Sequence, residues 1–121
     1  MRKWWWLSLI LCACGKPLPD LAPIDLEPWK SDKGGCLQVR SASIDALILQ
    51  REELKGLSET DLINLLGRPD RNELYKRNQK FYYYDLEPGL ACADAVKNNQ
   101  QLVVRFNAMG LAKEVSIEKG P

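Results

Sequence analysis

The residues of this 121-residue chain with the most constrained chemistry are Cys12, Cys14, Cys36 and Cys92, and there is no histidine to assist them. Without His, the Ser/His/Asp and Cys/His forms of nucleophilic catalysis and most general-base mechanisms near neutral pH lack their base, and His zinc sites lack their ligand. The carboxylates Asp85, Glu87 and Asp94 stand at no spacing that repeats an acid/base pair. No catalytic, cofactor or metal site is therefore expected, and the chain reads as a non-enzyme. Seventeen Lys plus Arg against sixteen Asp plus Glu leave a net charge of only +1, little with which to hold nucleic acid.

The first two cysteines sit at the end of MRKWWWLSLILCAC. Arg2 and Lys3 precede an uncharged run, Trp4 to Ala13, that is too short for the roughly 18 to 20 apolar residues a permanent span requires. A basic start followed by a short apolar run is the layout of an export signal. Leu11, Cys12, Ala13 and Cys14 resemble the bacterial lipobox, with Leu at minus three and a small residue at minus one. The resemblance implies cleavage after Ala13, so that 1–13 is a signal peptide and Cys14 becomes the acylated N-terminus. Cys12 is the weaker candidate, because Leu11 would then occupy the minus-one position. Several acyl chains, at about 0.8 kcal/mol per buried CH₂, would anchor the mature protein on a membrane. Gly15, rather than Asp, after the acylated Cys resembles cargo sorted to the outer membrane, which places the body on its periplasmic face.

Processing would leave Cys36 and Cys92 as one possible pair, and an exported protein meets an oxidising compartment. A disulfide is favoured over two separate buried thiols, and over a metal site with too few soft ligands. Between Cys14 and residue 35, Pro17, Pro19, Pro23 and Pro28 interrupt any regular periodicity, so 14–35 reads as an extended tether. Leu18, Leu21, Ile24, Leu26 and Trp29 are large for an inert spacer. They leave two readings open: docking on the chain's own body, or ordering on a partner.

The body is expected over 36–121. Ile44, Leu47, Ile48 and Leu54 suit a short amphipathic helix from Ser43. A second helix has both ends marked: Ser58 as N-cap with Asp61 three residues on, Leu57 and Leu62 as a staple, and Gly67 with Pro69 as the stop. Phe81 to Leu86, Leu102 to Phe106 and the stretch around Val115 and Ile117 are β-prone, and Asn107 to Gly110 turns the last two into a hairpin. Leu102, Val104 and Phe106 share one face, as would Leu111, Val115 and Ile117, so that face should meet the helices. The expected fold is α+β: two short helices on a three-stranded antiparallel sheet, a two-layer αα-βββ sandwich.

The order Gly56-Leu57-Ser58, Leu65-Leu66-Gly67-Arg68-Pro69, an aromatic strand, then Leu102 to Phe106 and a turn at Gly110 resembles the SmpA/OmlA family of small outer-membrane lipoproteins. That family includes accessory subunits of the β-barrel assembly machine. The likeness spans roughly residues 54 to 117. It lacks the family's Gln-Gly-Asn segment before the first helix, and Cys36 and Cys92 lie outside the usual pattern. It implies the α+β fold and a lipid-anchored protein-binding module whose partner is an envelope protein such as the assembly machine. The alternative is an inhibitor-like or sensor domain that binds a soluble periplasmic protein. Tyr82, Tyr83 and Tyr84 are the expected partner-binding residues: alternation sends Tyr83 to one face and its neighbours to the other, so one side should be exposed.

Overall fold

The computed structural model describes residues 17–74 and 78–120. The signal segment 1–13 and the lipidation position Cys14 lie outside the described residues. The architecture is α+β, with three helices, α1 (Leu26–Ser31), α2 (Ile44–Gln50) and α3 (Glu59–Leu66), and a four-stranded antiparallel sheet. The strands are β1 (Arg71–Leu74), β2 (Lys80–Asp85), β3 (Gln100–Phe106) and β4 (Ala112–Lys119), in spatial order β1-β2-β3-β4.

Local chemistry fixes α3 at both ends. The Ser58 side chain accepts from the Asp61 N–H at 3.1 Å, and the Gly67 N–H closes the helix on the Ile63 carbonyl at 2.8 Å. Leu62, Leu65 and Leu66 form its buried stripe. The β3–β4 hairpin turns as expected: the Gly110 N–H bonds the Asn107 carbonyl, while Asn107 Oδ1 accepts from the Met109 and Leu111 N–H groups. A register break beside Phe106 pairs it with Ala112 but pairs Arg105 with Glu114. Ala112, not Leu111, therefore joins Val115 in the core, and Leu111 is exposed.

Two expectations are corrected. The sheet has a fourth strand, β1, in Arg-Asn-Glu-Leu, which carries no apolar alternation. All four residues are exposed, and they are placed as a strand by pairing Arg71 with Tyr83 through Leu74 with Lys80. The other concerns the extent of the tether over 14–35: of the two readings left open for its apolar residues, docking on the chain's own body is the one observed. From Leu21 onward this segment belongs to the body, because its apolar residues have more to gain inside the core than in water. Leu21 is 1% exposed and Trp29, on α1, is fully buried. The Trp29 indole N–H donates to Ser43 Oγ at 2.9 Å, and its ring lies 5.6 Å from that of Tyr84. Among the described residues there are thus three α-helices, not two, and the first comes from the proline-rich stretch.

The helices, with the N-terminal segment, cover one face of the sheet. The core joins Leu21, Trp29, Leu47, Leu54, Leu57 and the α3 leucines to Tyr82, Tyr84, Leu102, Val104 and Phe106 of the strands. Cys36 and Cys92 form a disulfide with Cα atoms 5.4 Å apart, tying the end of the N-terminal segment to the loop between β2 and β3.

Candidate functional site

Strand alternation divides the tyrosines. Tyr82 and Tyr84 point to the helices. The Tyr82 ring meets Phe106 edge-on at 4.8 Å, and its hydroxyl donates to Glu59 Oε1 at 2.7 Å. Burial, and then the neighbouring Glu59 carboxylate, push its phenol up to about 12. Tyr84 is fully buried and donates to the Gly67 carbonyl at 2.8 Å. Its phenol is raised further, chiefly by burial. These two rings are core, so the expectation that they offer a partner surface does not hold for them.

Tyr83 points the other way. It is half-buried, stacks on Phe81 with ring centroids 6.3 Å apart and planes 20° apart, and donates from its hydroxyl to Glu73 Oε1 at 2.9 Å. The Arg71 guanidinium lies 5.5 Å from the Tyr83 centroid. The β-sheet register sets Val103 opposite Tyr83 and Arg105 opposite Phe81, with Arg105 held by Glu114 at 2.9 Å. None of Phe81, Tyr83 and Val103 belongs to the core that packs the helices. The result is an aromatic patch on the open face, rimmed by charges of both signs, which resembles the make-up of protein-binding surfaces. Phe81 is the member of this patch that the tyrosine count alone did not single out; its place two residues before Tyr83 in a strand was the available signal.

One end of the sheet holds a polar knot that the sequence did not announce. Arg40 is fully buried; its Nε donates to the Trp29 carbonyl at 2.9 Å and its Nη1 to Asp70 Oδ2 at 2.7 Å. Its guanidinium carbon sits 4.5 Å from the Trp29 centroid. Among the described residues, Arg40 Nη2 is the one fully buried side-chain nitrogen or oxygen with no hydrogen-bond partner, and the indole face beside the guanidinium offsets part of that cost. Asp32 accepts from the Leu37 and Arg40 N–H groups. Asp85 gathers Arg71, Asn99 and Gln101 around one carboxylate. Among the described residues no cluster of His, Cys, Asp and Glu could hold a metal ion, and no helix is long and apolar enough to cross a membrane. Set beside known proteins, the chain matches no family model, no curated protein and no solved structure.

Proposed function

We propose that this chain is a lipid-anchored envelope protein, held on the periplasmic face of the outer membrane, that binds another protein through the open sheet face around Tyr83 and Phe81. The proposed role is that of the SmpA/OmlA-type accessory subunits of β-barrel assembly, which the helix stop at Gly67 and Pro69, the aromatic strand and the final hairpin resemble. The observation that carries the binding role is the stacked Phe81–Tyr83 pair on a sheet face outside the helix-packed core. Two neighbouring aromatic side chains left partly in water are a costly arrangement for a surface that meets nothing. The anchor rests on the spacing of Leu11, Ala13 and Cys14 after a short apolar run.

Two measurements test the two halves separately. Cys14→Ala should abolish labelling by radioactive fatty acid and leave a larger, unprocessed species; persistent labelling would move the anchor to Cys12. Affinity purification from membranes should co-isolate a barrel-assembly subunit with the parent chain and much less of it with Tyr83→Ser. Co-isolation of a soluble periplasmic protein instead would favour the inhibitor-like or sensor alternative. Equal capture by the parent and Tyr83→Ser would remove the open face from the reading.

A further inference from the structure

Next to the disulfide, at the end of the sheet beyond the aromatic patch, lies a cavity of about 440 Å³, within the range of small-ligand pockets. Three of its polar lining residues are buried: Asp85, Asn99 and Gln101 are 3%, 4% and 4% exposed. Asp85 Oδ1 accepts from Asn99 Nδ2 at 2.9 Å and from Gln101 Nε2 at 3.2 Å, while Asp85 Oδ2 accepts from Arg71 at 3.0 Å. A carboxylate can only accept, so both amides must turn their NH₂ groups toward it, which leaves their carbonyl oxygens to find donors elsewhere. No described residue donates to Asn99 Oδ1 or Gln101 Oε1, and neither is sealed from solvent as Arg40 Nη2 is.

The cluster is held tightly. A Cβ on Gly89 would stand 2.7 Å from Asp85 Oδ2, and one on Gly120 would stand 2.7 Å from both Asn99 Oδ1 and Gln101 Nε2, so a side chain at either place would have to displace these polar groups. At the cavity wall the Lys33 ammonium has no ion-pair or hydrogen-bond partner among the described residues, and Leu90 is 83% exposed. The charges of the lining balance, with Lys33 and Arg71 against Asp70 and Asp85. A simple anion would meet two carboxylates there, and a simple cation would meet two basic groups.

We infer that this cavity is a saccharide-binding site. A sugar hydroxyl both donates and accepts, so neighbouring hydroxyls can satisfy an amide carbonyl of Asn99 or Gln101 and the Lys33 ammonium together, without importing net charge. The C–H face of the ring then packs on Leu90. An acetamido sugar suits the lining further, since its N–H is a second donor to the spare carbonyls and its methyl adds apolar contact.

The test uses the full chain, ¹⁵N-labelled, with its disulfide intact and in a detergent without a sugar headgroup. N,N′-diacetylchitobiose is titrated while the side-chain NH₂ resonances of Asn99 and Gln101 are followed. Saturable shifts of both at millimolar saccharide are expected, as is a several-fold weaker affinity in Lys33→Ala, a variant at an exposed position. Resonances that stay fixed, an unchanged affinity in Lys33→Ala, or the same response to L-alanine or inorganic phosphate would each overturn the assignment.

Discussion

Arg40 and Asp70, thirty residues apart in the chain, form an ion pair at 2.7 Å in which the Arg40 side chain has no exposure and that of Asp70 is 12% exposed. Asp70 also accepts from the Gly34 N–H at 2.9 Å and the Asp85 N–H at 2.8 Å, so one carboxylate joins the N-terminal segment to β2. Its value lies less in attraction than in the cost of leaving the guanidinium buried alone. Asp70→Ala should therefore destabilise the fold by about 3–5 kcal/mol, measured by urea unfolding. A loss below about 1 kcal/mol would show that Arg40 finds water or another partner.

Trp29 tests whether the proline-rich stretch belongs to the body. Trp29→Ala removes a fully buried ring that touches Tyr84 and supports Arg40. The expected cost is about 3–5 kcal/mol, seen as a lower thermal midpoint. An unchanged midpoint would return the segment to the status of a separable arm.

Much of the core face was legible because its signals are local. Ser58 and Gly67 mark α3 within ten residues of chain, and Leu102, Val104 and Phe106 sort by period two without reference to anything distant. β1 escaped because Arg71 to Leu74 hold their place by backbone pairing with β2, and side chains that are all exposed carry no pattern. The burial of Trp29 and Arg40 was equally hidden. The groups that make it possible, Asp70, Tyr84 and the Asp85 carbonyl, come from positions thirty to fifty-five residues away, and no window of sequence contains them together. Alternation did separate Tyr83 from Tyr82 and Tyr84, but which side faced water depended on where the helices packed.

The raised phenol of Tyr82 makes stability depend on pH at the alkaline end. Its folded value of about 12 exceeds its ordinary value of 10, so the protonated form is favoured in the native state. That contribution is complete below about pH 10 and is lost as pH rises toward 12. Denaturation midpoints should fall across this window in the parent and fall less in Tyr82→Phe, with phenolate absorbance recording the ionisation. An identical decline in both proteins would assign the effect to Tyr84, whose phenol is raised as well.

Loss of the Cys36–Cys92 bond should cost more than its local contacts suggest. The two residues are 56 apart in sequence, and opening a loop of that size gives back roughly 4 kcal/mol of chain entropy to the unfolded state. A Cys36→Ser, Cys92→Ser double variant should lose about that much in urea unfolding, and the parent chain isolated without reductant should gain two alkylated thiols only after reduction. Thiols that alkylate without reduction would show the bridge absent.

The burial of Leu21 sets a leash length. If Cys14 carries the proposed acyl chains, at most residues 15 to 20 separate the anchor from the first core residue, and at about 3.3–3.6 Å per residue six residues span roughly 20 Å at full stretch. The body would then sweep a shallow shell just beneath the bilayer instead of ranging across the periplasm. On that proposal, anything it meets would itself have to come to the membrane surface. That requirement favours partners embedded in or seated on the same leaflet, and tethering confines the encounter to a thin layer in which even a weak contact is often remade.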